Sequence, residues 1–238
     1  KKSTIKFSLR SKEADLGESG GEEFNIAEHV TKIRLLARNE WGGINADGEL
    51  LAAFVLPNDP AIAKILKAAA NVLERHGHST ALDGYQSGDP QRAYLLVESI
   101  WNAICGLGLT YANPPKSFEV AGQKTRLPES VLTEGLATCL DSSLLFAAAI
   151  EAVGLNPIII MTEGHCFAGA WLFEKRLLNQ IVESDVSEIR KALAGHELVT
   201  FETTLVTQSP CGRFPNAVRT AKSATQESQE GRFVAAID

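Results

Sequence analysis

Apolar residues recur along this chain with periods that change from segment to segment, and each period predicts an element. Ile5, Phe7 and Leu9 alternate with polar neighbours, the pattern of a short half-buried strand. Residues 11–24, rich in Glu, Ser and Gly, read as a linker. Helical spacing follows at Ile62, Ile65, Leu66, Ala69, Val72 and Leu73, with Asp59-Pro60 as N-cap and first-turn proline and Gly77 as the stop. Asp89-Pro90 opens a second helix that carries Tyr94, Val97, Trp101 and Ile104 on one face and ends near Gly106. Prolines at 114, 115 and 128 exclude a long regular element between 107 and 137.

Residues 144–153 are apolar on almost every side, as in a buried central helix. Thr138 and Asp141 have the spacing of a capping box at its start, and Gly154 ends it. Residues 158–161 read as a fully apolar strand and 166–172 as its antiparallel neighbour. A helix over 185–194 and a strand over 198–207 follow, and the polar last thirty residues predict loose order. The expected class is α+β, with an N-terminal strand and linker (1–24), one domain (25–210) and a polar C-terminal segment (211–238). Within the domain, 57–106 are expected to form a helical part and 107–207 a core.

Composition narrows the class. With 238 residues, 45% hydrophobic and 22% charged, and a net charge of −6, the chain reads as an ordinary soluble globular protein. No Lys/Arg cluster offers a nucleic-acid surface, no apolar run approaches the ~20 residues of a membrane span, and no signal-peptide pattern opens the chain. Cys105, Cys139, Cys166 and Cys211 are scattered without a CxxC pair, so neither a disulfide framework nor an oxidising compartment is expected; a reducing cytoplasm is. The absence of an initiator Met predicts a segment of a longer polypeptide.

The candidate chemistry lies in three segments: a thiol at Cys139, an imidazole at His165 and a carboxylate at Glu202. At the first turn of a helix, free N–H groups and the dipole favour thiolate at Cys139, and the same groups can hold an oxyanion. His165 opens a strand with Phe167 and Trp171 on its own face, and Trp171 is a candidate substrate wall. Glu202 is expected on a strand, directed away from Val199, Phe201 and Leu205, where it can fix the imidazole tautomer. Gln123 can donate an amide to an oxyanion, as glutamines do in several cysteine hydrolases. Each has a structural alternative: a small buried thiol, a histidine bonded to backbone, a surface glutamate, a polar loop residue. A zinc set of Cys139, Asp141, His165 and Cys166 is rejected, because Cys166 should face away from His165 and the spacing matches no known ligand pattern. No cofactor or metal is expected.

The run Thr138-Cys139-Leu140-Asp141, then Gly164-His165-Cys166-Phe167, then Glu202-Thr203-Thr204 resembles the transglutaminase-like superfamily, whose pattern is Gly-x-Cys-x-Asp, His-aromatic, Asp-x-Thr. That resemblance implies a papain-like fold with the nucleophile on a central helix packed on a small antiparallel sheet, and extra N-terminal helices here. It implies Cys139 as nucleophile, His165 as base and Glu202, in place of the usual Asp, as orienter, with Asp185 as the alternative third member. A narrower resemblance is to the transglutaminase-like cysteine peptidase module of large bacterial helicase-and-nuclease proteins. It rests on Asn58-Asp59-Pro60, Gly84-Tyr85-Gln86, Tyr111-Ala112-Asn113-Pro114-Pro115, Ser117-Phe118-Glu119, Gly122-Gln123 and Arg126-Leu127-Pro128. It implies a protein or peptide substrate and the parent's other domains as partners, with neither nucleic acid nor membrane bound by this module. A silent peptide-binding module and an amide transferase are the alternatives.

Overall fold

A computed structural model describes residues 2–4, 32–34, 36–177 and 182–238. Two compact units divide the chain, Lys1–Arg38 and Asn39–Asp238. In the first, β1 (Lys2–Thr4) pairs antiparallel with β2 (Lys32–Arg34). The strand expected at Ile5, Phe7 and Leu9 and the linker expected over 11–24 lie outside the described residues.

The second unit mixes α and β structure, compatible with the α+β class. It begins with β3 (Glu40–Trp41), a short α1 (Ile44–Asp47) and a 3-10 segment, Gly48–Phe54. Then come α2 (Pro60–Arg75) and α3 (Pro90–Cys105), capped as their Asp-Pro starts predict: Asp59 accepts from the Ala61 N–H and Asp89 from the Gln91 N–H. The proline-broken middle holds only short pieces: β4 (Thr110–Tyr111), α4 (Phe118–Ala121), β5 (Gln123–Lys124), α5 (Pro128–Glu134) and β6 (Leu136–Ala137). Here β5 pairs with β3 and β6 runs parallel to β4.

Next come α6 (Cys139–Ala152), the hairpin β7 (Pro157–Thr162) and β8 (His165–Trp171), and β9 (Val182–Glu183). The chain continues through α7 (Val186–Ala194), β10 (Leu198–Phe201), α8 (Phe214–Ala224) and β11 (Phe233–Ile237). These strands form one antiparallel sheet in the order β10-β8-β7-β11-β9. Alternation along β8 sends Ala168 and Ala170 towards α2, α3 and α6, and Phe167 and Trp171 towards α7 and α8. With helices on both faces, β7 and β8 are buried almost throughout, which is why they read as unbroken apolar runs.

Three expectations change. The strand foreseen over 198–207 stops at Phe201, because Glu202 turns the chain into a 3-10 segment, Thr203–Thr207. The last thirty residues are not loose: α8 buries Phe214, Ala217 and Ala221, and β11 sits inside the sheet between β7 and β9. Its core-facing residues are mostly alanine, too small to mark a strand by hydrophobicity. Cys105 is disulfide-bonded to Cys211, where the end of α3 meets the loop before α8, a pairing that the scattered cysteines did not lead one to expect. No helix among the described residues is long and apolar enough to cross a membrane.

Phe146 of α6 ties the layers together, with its ring 5.5 Å from Trp101 and 5.0 Å from Phe201. Trp101, on the face that the helical spacing marks, is fully buried and donates from Nε1 to Gly212 O at 2.9 Å. Tyr85 donates to Trp171 O at 2.8 Å and is a structural strut. Truncating Phe146 to Ala should cost about 3–5 kcal/mol by emptying this contact. Urea unfolding checks it; a loss under about 1 kcal/mol would mean that the ring is not a keystone.

Candidate active site

The site is built around the start of α6. Thr138 Oγ1 accepts the Asp141 N–H at 3.1 Å, and Asp141 Oδ2 accepts the Thr138 N–H at 2.9 Å, so the capping box forms as its spacing predicts. Asp141 is also held by Arg126, whose backbone N–H reaches Oδ1 at 2.8 Å and whose Nη1 reaches Oδ2 at 3.1 Å. That carboxylate is thereby committed to the cap. Cys139 is the first residue of the helix and is 0% exposed.

His165 is the first residue of β8, paired with Thr162 across a two-residue turn. Gly164 in that turn has φ of 67°, a conformation that strains any residue with a Cβ. The glycine therefore sets where the strand, and the ring, begin. Glu202 leaves β10 as cap of the 3-10 segment: Oε1 accepts Thr204 N–H at 3.0 Å and Thr204 Oγ1–H at 2.7 Å. Its other oxygen, Oε2, lies 2.7 Å from His165 Nε2. Both carboxylate oxygens are thus engaged, and Nε2 is the ring nitrogen committed to Glu202.

The two sides of the site are sewn together by hydroxyls. Thr203 Oγ1, one residue after Glu202, lies 3.0 Å from Ser142 Oγ and 3.1 Å from Ser143 Oγ in the first turns of α6. Ser142 also donates towards Thr138 O and Cys139 O, both at 3.0 Å.

Electrostatics follow from these neighbours. The Cys139 thiol falls from 9.0 to about 5: the Cys166 thiol beside it contributes most, burial opposes, and the His165 ring adds a donor and a positive charge. His165 rises from 6.5 to about 10, because Cys139 and Glu202 together outweigh burial, which would lower it. Glu202 is held below its usual value by the His165 ring and Thr204, against burial. Burial and the Cys139 charge push Cys166 and the Tyr111 hydroxyl up, so the negative charge stays on one sulfur. The resulting thiolate–imidazolium pair can attack a carbonyl and return a proton to a leaving group.

Of the residues proposed from sequence, Cys139, His165 and Glu202 come together. Asp185 does not stand third, since it caps α7 through the Ser187 N–H at 2.8 Å. Gln123 lies beside the site: its Nε2 donates to Thr138 Oγ1 at 3.2 Å, and its Oε1 is buried without a partner. Exchanging the amide's O and N keeps its shape, lets the carbonyl accept from the Thr138 hydroxyl and frees the NH2 as a donor. Trp171 does not belong to the site. It ends β8, roughly 20 Å of strand from His165, and donates from Nε1 to Asp238 Oδ1 at 3.2 Å.

Three neighbours of the sulfur were not foreseen. Cys166 faces α6, as alternation requires, and shares an apolar cluster with Cys139, while His165 reaches the thiol from the strand's end. Opposite faces therefore did not keep the two apart. Tyr111 comes close because β4 pairs with β6, Tyr111 opposite Ala137, two residues before Cys139. Trp41, opposite Gln123 in the β3–β5 pair, brings a buried unpartnered Nε1 into the same cluster as Cys139. Only pairings distant in sequence place Tyr111 and Trp41 here, and no local pattern marks them. Among the described residues no group of three or more His, Cys, Asp or Glu is arranged to hold a metal ion. Compared with protein-family models, curated proteins and solved structures, the chain gives no match.

The ion pair should exist between about pH 5, where the thiolate is protonated, and about pH 10, where the ring loses its proton. Alkylation of Cys139 by iodoacetamide, followed by peptide mass, should rise through the acid limb and then hold level. His165→Ala should move that rise up by about one pH unit or more. A wild-type rise near the ordinary thiol value of about 8.5 would remove the pair.

Proposed function

We propose that this chain is a cysteine hydrolase of the transglutaminase-like, papain-like kind, acting on an amide bond and most simply described as a peptidase. The observation that supports the reading is the 2.7 Å contact from Glu202 Oε2 to His165 Nε2, which leaves the other ring nitrogen available to a thiol at a helix start. In this reading His165 holds the thiol proton while Cys139 sulfur attacks the carbonyl carbon. The developing oxyanion is met by N–H groups at the start of α6, which have no partner within the helix, and by the Gln123 amide in its exchanged orientation. His165 then gives its proton to the leaving amine, and water, deprotonated by the same ring, releases the acid from the acyl-enzyme. An amine in place of that water would make the reaction a transamidation. The chain's place as one module of a larger bacterial cytoplasmic protein, with peptide substrates and sibling domains as partners, belongs to the same proposal.

The complete burial of Cys139 favours a second reading, a silent binding module with a closed site. Screening against a peptide library under reducing conditions, with an electrophilic thiol probe in parallel, separates the two. Turnover and fast labelling of Cys139 are expected, both abolished by Cys139→Ala. Slow, equal labelling of Cys139 and Cys166 without turnover would leave the binding module. Glu202→Gln keeps the shape but removes the charge that supports the imidazolium, so kcat/KM should fall on the order of 10²–10⁴-fold. A fall under about 3-fold would take Glu202 out of the triad.

A further inference from the structure

A second buried thiol stands beside the nucleophile; it steadies the thiolate, but no bond made or broken in the hydrolytic cycle involves its sulfur. Cys166 Sγ lies 3.8 Å from Ser143 Oγ, and Ser143 is one helical turn after Cys139 on the same side of α6. Both sulfurs belong to one apolar cluster with Leu140, Leu144, Ile159 and Met161. Both are free, whereas Cys105 and Cys211 are already joined to each other. Cys166 is fixed on β8 next to His165, so the strand that carries the base also holds this sulfur against the helix start.

We propose that Cys139 and Cys166 form a reversible redox pair, in which a hydroperoxide oxidises Cys139 and Cys166 resolves the product as an intramolecular disulfide. The steps balance. The Cys139 thiolate attacks the distal peroxide oxygen; the S–O bond forms, the O–O bond breaks, and the departing oxygen takes the His165 proton. Cys139 has lost two electrons to the peroxide and is a sulfenic acid. Cys166 sulfur then attacks that sulfur; the S–S bond forms, the S–O bond breaks, and hydroxide leaves with the Cys166 proton as water. A dithiol reductant reverses the product through a mixed disulfide.

The surroundings favour this order. Cys166 is held protonated by burial and by the charge on Cys139. Once Cys139 is a neutral sulfenic acid that charge is gone, and the opposition to Cys166 ionisation weakens at the step that needs it. A thiolate without a resolving partner goes on to sulfinic and sulfonic acids, which dithiols do not reverse. Cys166 would thereby convert an irreversible loss of the nucleophile into a recoverable one. The proposal goes beyond the hydrolase reading, because the pair can form whether or not the site turns over.

Graded hydrogen peroxide, N-ethylmaleimide quenching and peptide mapping test it on the intact chain. In the wild type a Cys139–Cys166 linked peptide is expected, lost on dithiothreitol treatment with return of both free thiols. In Cys166→Ser, which keeps a hydrogen-bond donor beside the thiolate but has no resolving sulfur, Cys139 should accumulate sulfinic acid at least about 10-fold faster than in the wild type. If the wild type yields sulfinic acid at Cys139 without the linked peptide, the proposal is overturned, and this mapping does not depend on how the variant folds. Peptide hydrolysis measured in reductant reports separately on the hydrolase reading: a linked peptide without turnover sinks that reading alone, and turnover without a linked peptide sinks this one alone.

Discussion

Helix α6 has no polar side, so every surface it presents must be covered by protein. The sheet covers one flank, and α2 and α3 lie in the apolar cluster on the other. The consequence for chemistry is that the helix start is internal too, and the orphan N–H groups of its first turn cannot turn to water. Thr138 Oγ1 accepts one of them, the Asp141 N–H, while the Asp141 carboxylate, held by Arg126, accepts the Thr138 N–H, and Thr203 binds the Ser142 and Ser143 hydroxyls on the other side. Cys139 stands where these demands converge, and the network that satisfies the helix also fixes the approach of Glu202.

The charges around that sulfur form a graded set. His165 gains from both Cys139 and Glu202, and Glu202 is steadied by Thr204, so one cation sits between two anionic groups. Tyr111 and Cys166 stay protonated because burial and the charge already present weigh against a second anion. The longer arm of Glu, compared with Asp, is absorbed by the turn into the 3-10 segment, where one carboxylate oxygen caps backbone and the other meets the ring.

Much of this was legible in residue order, where local chemistry decides local structure. Asp59-Pro60 and Asp89-Pro90 announce α2 and α3, and Thr138 with Asp141 announces the start of α6. Cys139 and His165 could be named because each stands at an element boundary with a recognisable signature, whereas Glu202 was named from the Glu-Thr-Thr run while being placed inside a strand. What escaped depends on partners distant in sequence. The alanines of β11 carry little strand signal and become core only between β7 and β9. The Cys105–Cys211 bond needs α3 and the approach to α8 to meet. Trp171 shares a strand with His165, but strand length carries it out of reach, and Cys166 was discounted on alternation although the helix start spans both directions.

The position of β11 also governs the order of biosynthesis. The hairpin that bears His165 is translated well before residues 233–237, yet its outer neighbour in the sheet is made from them. A ribosome that has released β7 and β8 has therefore not released what covers the open edge of β7. Until Ile237 clears the exit tunnel, the nascent chain has nothing to pair with that edge of β7.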